Sequence, residues 1–285
     1  MSAFTEANRK AFDELATTYN TKPWQQALSA QFTKELHTRR AWLDLASQSS
    51  EGLKLLDYAC GTGVVTKALG SDFTTIRGID ISEKMVELYN AAAAQSSGDE
   101  RPVAVVGDLL STPSSSSLSG PEWRDFDLAV ICAGFHHFES PGEAVQRLVE
   151  RLRPGGQLLI VDFLPFDDEV DRERKLREQM EHTHGPGHDF PDMTHTIKHS
   201  GTSPAQAHHP TPPHLTSLHC APAKANDWTD DFLPIGFNEA GMRDFYTAAG
   251  LTDFGFNLAT EASSMELKNG KVERRMFFAK GRKAA

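Results

Sequence analysis

Apolar positions in this chain change their period along its length, and each change marks an element. Phe4, Phe12, Leu15, Ala16 and Tyr19 recur at helical spacing, with Thr5 positioned to cap the helix. Asn20-Thr21-Lys22-Pro23 interrupts that pattern, and a second helix is predicted over residues 24–46. From residue 53 the pattern becomes short apolar runs alternating with amphipathic stretches. Strands are predicted at 53–56, 75–80, 103–106, 126–132 and 157–163, with helices opening at Val64, Glu83 and Pro141. The run FDLAVIC (126–132) is the longest and belongs at the centre of a sheet. Alternation of this kind predicts a parallel α/β sheet. It resumes near Asn238 with a helix ending at Ala249-Gly250 and strands at 254–258 and 274–279. Lys268-Asn269-Gly270-Lys271 is expected to join those two strands as a hairpin, because Asn-Gly favours the required turn.

The turns between elements carry the chemistry. Asp57-Tyr58-Ala59-Cys60-Gly61-Thr62-Gly63 links the first strand to a helix, where Gly61 and Gly63 permit positive φ and close approach of a ligand. Strand, Gly-rich turn and helix N-terminus together form a nucleotide-type site. A dinucleotide fingerprint needs a third Gly where Thr66 stands. Asp57 would repel a pyrophosphate but suits a ligand carrying an ammonium group. Asp80 closes the second strand at the distance beyond Gly63 where an acid accepts hydrogen bonds from ribose hydroxyls. Ser82 can cap the following helix, and Asp108 follows the third strand. Ala133-Gly134-Phe135-His136-His137-Phe138 follows the fourth strand. Ser140-Pro141-Gly142-Glu143 reads as a capping box, and Arg153-Pro154-Gly155-Gly156 as a reversal into the fifth strand. Residues 111–120 read as a Ser-rich connection without a packing signal.

The turn at 57–63 resembles motif I of the class I S-adenosylmethionine (SAM) dependent methyltransferases, an acid followed by alternating small residues and glycines, with Ala59 in place of the usual first Gly. G-I-D-I-S-x-x-M (78–85) is similar to the family's second motif, and L-R-P-G-G-x-L-L-I (152–160) to a further signature. The resemblance covers residues 50–163 and, in topology, 236–280. It implies a Rossmann-like seven-stranded sheet, mostly parallel with an antiparallel last strand, helices on both faces and an N-terminal helical lid. The lid would comprise residues 1–47, the core 48–166 and 231–285, and a His/Pro-rich insertion at 167–230 would cover the substrate.

SAM, leaving as S-adenosylhomocysteine (SAH), is the implied cofactor. Asp57, Ala59, Gly61 and Gly63 would hold its amino acid part, and Asp80 its ribose, with Ile81 and Met85 from the same motif. Asp108 and Leu109 would meet the adenine, Cys132 would lie near the methionine portion, and Tyr19 would close over the whole. His137, and after it His136, would sit beside the methyl group as general bases. The resemblance points to a small-molecule acceptor, as in ubiquinone biosynthesis, with oxygen, carbon, sulfur and nitrogen all open as acceptor atoms. The alternative is a SAM-binding regulatory or metal-handling protein of the same fold, without methyl transfer.

Composition narrows the partners. A formal net charge of -10 over 285 residues gives no basic footprint for nucleic acid or an anionic membrane. Three unevenly spaced cysteines, no signal-peptide core and no long apolar run lead to the expectation of a reduced, cytoplasmic protein. All of the 12 histidines except His37, His136 and His137 fall in the insertion. Their spacing could ligate a transition metal, but the surrounding Pro, Thr and Ser are poor material for a rigid cage, and no metal site is assigned. The oligomeric state leaves no readable trace.

Overall fold

The computed structural model describes residues 2–45, 52–95, 101–111, 116–165, 237–267 and 270–285. Two units partition the chain, Met1–Phe166 with Ala221–Ala285 and Asp167–Cys220. The second unit and the expected insertion at 167–230 lie outside the described residues.

Three helices come first: α1 (Ala3–Ala16), α2 (Pro23–Thr38) and α3 (Arg40–Leu43). The core then runs β1 (Lys54–Tyr58), α4 (Val64–Leu69), β2 (Thr75–Asp80), α5 (Glu83–Ala93), β3 (Val103–Val106), β4 (Phe126–Cys132), α6 (Pro141–Arg151) and β5 (Leu152–Phe163). It ends with α7 (Glu239–Ala248), β6 (Leu251–Leu258), β7 (Ser263–Leu267), β8 (Gly270–Arg274) and β9 (Met276–Lys283). One seven-stranded sheet has the order β3-β2-β1-β4-β5-β9-β6. Its neighbours pair in parallel except around β9, which is antiparallel to both β5 and β6. The Rossmann-like expectation is borne out.

The pleat explains why the apolar runs are continuous. Ala129 and Ile131 of β4 face one hydrophobic layer with α6 and α7, while Leu128 and Val130 face the other with α2 and α4. Every residue of β4 is buried, as a central strand covered on both faces requires.

Several local expectations are corrected. The first helix begins earlier, and Ser2 rather than Thr5 caps it by accepting from the Thr5 N–H. The predicted helix over 24–46 divides at Arg39 into α2 and α3. Ser140 makes no side-chain cap bond, so the expected capping box at α6 does not form. At Leu118 the Ser-rich connection does pack, with that side chain buried in the core. The strands at 254–258 and 274–279 do pair, but the Asn-Gly signal belongs elsewhere. It falls between β7 and β8, which form their own two-stranded sheet. Residues 268–269 of that turn are outside the described set.

The reversal at 152–156 is built as the glycines require. Pairing with β4 jumps from Phe126↔Leu152 to Leu128↔Gln157. A Cβ on Gly156 would stand 2.7 Å from the Phe126 carbonyl oxygen, and Gly155 has φ +75°. Only Gly fits that close approach.

Candidate active site

The direction of strand addition reverses between β1 and β4, which opens a crevice at their carboxyl ends. On the β1 side lies the turn from Ala59 to Gly63. Ala59, Gly61 and Gly63 all have positive φ, at +55°, +50° and +88°. On the β4 side Ala133 is also left-handed, at φ +57°. A Cβ on Gly61 would meet nothing within 4 Å. One on Gly63 would come within 3.1 Å of the Tyr89 ring. The turn therefore opens a bare backbone face at Gly61 and is locked against α5 at Gly63.

Three carboxylates stand at the ends of adjacent strands. Asp57, 1% exposed at the end of β1, accepts a 3.3 Å hydrogen bond from the Thr66 hydroxyl, itself 2.6 Å from the Tyr89 hydroxyl. Burial pushes its pKa well above the usual carboxylate range; the Thr66 bond opposes this and the nearby Asp80 charge adds to it. Asp80, 8% exposed at the end of β2, accepts from the Gly61 N–H at 2.8 Å and from the Ser82 N–H at 2.9 Å. Its pKa is raised by burial, against the pull of those backbone donors. Asp108, beyond β3, accepts from the Tyr58 hydroxyl at 3.2 Å and the Leu110 N–H at 2.9 Å. The Tyr58 oxygen in turn accepts from the Leu109 N–H at 3.1 Å. Ile81 is half-buried in the turn after Asp80, whereas Met85 and Leu109 are buried.

Tyr19 comes to the same place from the N-terminal segment. Its phenol is pushed up to about 12, chiefly by burial and then by the Cys132 and Asp80 groups beside it. Polar contacts tie this segment down at three points. Asn8 donates to the His137 carbonyl at 3.0 Å, and Asn20 donates to the Thr62 hydroxyl at 3.3 Å. Asp13 accepts from the Ser82 hydroxyl at 2.7 Å, above the N-terminus of α5. Asn8 and Asp13 escaped the sequence reading because polar residues on an amphipathic helix ordinarily mark its solvated side, and Asn20 was read only as part of the break before α2.

The two histidines have different surroundings. His137 is half-buried, with the Phe12 ring edge-on at 5.1 Å, and burial pushes its pKa well below the ordinary histidine value. His136 lies against Asp162 of β5. Its Nδ1 is 2.8 Å from Asp162 Oδ1, and its backbone N–H donates to Oδ2 at 3.1 Å. Asp162 was missed in the sequence, although a lone acid in the run LLIVDF was a signal. Cys60 and Cys132 are buried thiols, each with its pKa raised by burial. Among the described residues, no three His, Cys, Asp or Glu side chains gather as metal ligands.

A methyltransferase domain model matches residues 29–208. The chain belongs to this methyltransferase family. That bears out the expected family and its cofactor, SAM. The methyltransferase chain is 31% identical over 118 residues to an uncharacterized methyltransferase of Schizosaccharomyces pombe, with 41% of each chain covered. It is 33% identical over 129 residues to the 27-O-demethylrifamycin SV methyltransferase of Amycolatopsis mediterranei, covering 43% of this chain and 44% of that one. It thus spans under half the length of either relative. Magnesium protoporphyrin IX methyltransferase of Synechocystis PCC 6803, solved with bound SAM, shares the fold at TM-score 0.52 and 14% identity, over 100% of this chain and 99% of that one.

Proposed function

We propose that this protein transfers the methyl group of SAM to a small-molecule acceptor. The observation that carries this reading is the set of Asp57, Asp80 and Asp108 at three adjacent strand ends, around a Gly61 backbone face that a Cβ would otherwise fill. The residues fit the cofactor's parts. The Asp57 carboxylate and the Ala59–Gly63 backbone suit an amino acid moiety. Asp80, already oriented by two backbone donors, keeps lone pairs for ribose hydroxyls. Asp108 and Leu109 suit the adenine edge and face, Ile81 and Met85 belong to the ribose side, and Cys132 to the sulfur side. Tyr19, with residues 1–47, is the cover. SAM supplies an activated methyl; the chain's own residues orient it, exclude water and, at His136 or His137, take up a proton.

Residues 48–166 and 231–285 are the cofactor-binding core in this reading, and the expected substrate cover at 167–230 lies outside the described residues. The acidic net charge of -10 favours a small-molecule acceptor over nucleic acid. Two buried thiols support a cytoplasmic setting. No helix among the described residues is long and apolar enough to cross a membrane.

The test is calorimetric titration of metal-stripped protein with SAM and with SAH, repeated on Asp80→Ala. Micromolar binding of both, lost in the variant while thermal unfolding stays cooperative, is expected. Failure of the wild-type protein to bind either compound refutes the reading.

A further inference from the structure

Asp57 is a buried carboxylate at the end of a chain of two hydroxyls. That chain bears on how the site takes the charged end of its cofactor, an inference that rests on the methyl-transfer reading above. Thr66 of α4 donates to Asp57 Oδ2 at 3.3 Å, and its own oxygen lies 2.6 Å from the Tyr89 hydroxyl of α5. Tyr89 is 2% exposed. Its ring lies against the turn and the second strand: a Cβ on Gly63 would stand 3.1 Å from it, and one on Gly78 of β2 would stand 3.3 Å from the carbon that bears the hydroxyl. Cys60, Val86, Ala93 and Ala104 complete a small apolar cluster with that ring. From this apolar enclosure the phenol presents one polar atom to Thr66.

The order of protons along the chain depends on Asp57. A hydroxyl donates one proton and accepts at its lone pairs. With Asp57 ionised, the Tyr89 proton points to Thr66 and the Thr66 proton to Asp57, so each donor has its acceptor. With Asp57 neutral the order reverses, and the Tyr89 proton turns away from Thr66 towards the apolar cluster, at the cost of a buried hydrogen bond. The chain therefore favours the carboxylate. Burial opposes it, and burial also raises the Tyr89 phenol, which keeps that hydroxyl a donor. The titratable groups facing Asp57 are Asp80 at the end of β2, Cys60 in the turn, Tyr89 on α5 and Cys132 at the end of β4, while Arg77 of β2 is felt at Tyr89. None of the four facing Asp57 is a cation, so a ligand's positive charge completes the carboxylate.

We propose that Tyr89 and Thr66 are positioning residues for cofactor recognition: acting in series, they keep Asp57 a carboxylate with Oδ2 fixed, ready for the ammonium group of SAM. Binding an ammonium group needs the charged acid, so affinity falls as pH drops through the Asp57 value of the ligand-free protein. Removing either hydroxyl lets burial raise that value further, and the fall then begins at higher pH. Methylthioadenosine has the adenine and ribose of the cofactor but no ammonium group, so it is indifferent to the chain.

The test is calorimetric titration of the full chain with SAH and with methylthioadenosine, from about pH 5 to about pH 8, for wild type, Tyr89→Phe and Thr66→Val. Tyr89→Phe retains the ring that packs on Gly63. Near neutral pH, SAH affinity is expected to fall about tenfold in Thr66→Val and about three- to tenfold in Tyr89→Phe, with methylthioadenosine within about twofold of wild type. The midpoint of the acidic loss of SAH affinity is expected to move to higher pH in both variants, a readout that a purely structural role would not move. Asp80 and Asp108 serve parts that both ligands share, so their titration cancels in the ratio of the two affinities. An unmoved midpoint with an unchanged ratio in folded Tyr89→Phe, or equal weakening of both ligands, overturns the proposal while sparing the cofactor site. Wild-type protein that binds neither compound overturns the methyl-transfer reading and this one together. Should Thr66→Val fail to fold, Tyr89→Phe carries the same decision.

Discussion

Adding one methyl group at each of two glycines should separate the turn's ligand face from its structural face. Gly61 and Gly63 both hold positive φ, so Ala at either site meets left-handed strain of about 1–2 kcal/mol, partly offset by about 0.4–1 kcal/mol from a stiffer unfolded chain. At Gly61 nothing else lies within 4 Å, so Gly61→Ala should cost about 1 kcal/mol, a fall in Tm of roughly 2–4 °C. At Gly63 the new Cβ would be 3.1 Å from the Tyr89 ring, which is pinned through its hydroxyl to Thr66. Overpacking adds about 1–3 kcal/mol, for a total of about 2–4 kcal/mol. Ala59→Gly runs the other way. Ala59 already holds φ +55°, so relief of strain less the flexibility of Gly leaves a gain of about 0.5–1 kcal/mol. Thermal unfolding without ligand gives the stability order, and calorimetry with SAH gives affinity. Gly61→Ala should be the mildly destabilised protein that loses SAH affinity at least tenfold, because its methyl enters the space the ligand needs. Full affinity in a folded Gly61→Ala, or greater instability there than in Gly63→Ala, would refute the reasoning.

Two further outcomes are expected. Asp57 and Asp80 have folded-state pKa values raised by burial, so the native state binds more protons than the unfolded chain. Their contribution to stability is full below the unfolded carboxylate value of about 3.9 and is lost as pH rises through the raised values. Asp57→Asn should flatten the fall in ligand-free Tm as pH increases from 4 to 8, while weakening SAM; an unchanged slope would show that Asp57 carries no such penalty. Tyr19→Phe should leave SAH affinity within about twofold and Tyr19→Ala should weaken it about tenfold, or ~1.4 kcal/mol, if the ring covers the cofactor; equal affinities for all three proteins by calorimetry would remove Tyr19 from the site.

Much of the cofactor half was legible because it depends on local rules. A strand, a turn with glycines at fixed offsets and a helix N-terminus are set by neighbouring residues, and an acid at a strand end is visible as the last polar letter of an apolar run. Asp57, Asp80 and Asp108 were found that way, and so was β4, whose burial on both faces suppresses alternation. The hairpin was misjudged for a related reason. Asn269-Gly270 specifies a tight turn but not which strands it joins, and β9 finds its partners β5 and β6 through sheet contacts far apart in sequence.

What surrounds each of the two histidines was not legible. His136 and His137 are adjacent letters with equal chemistry, and only the parallel register of β4 and β5 brings Asp162 to one of them. Asn8 and Asp13 of α1, and Asn20 in the turn after it, likewise gain their meaning from the docking of the N-terminal segment on the turns it touches. Sequence by itself determined the elements, the sheet and the strand-end acids, because these follow from local backbone preference and periodic burial. Which histidine is oriented, and what the first helices hold in place, tertiary structure decided, because hydrogen bonds between residues 26 and 129 positions apart have no local signature.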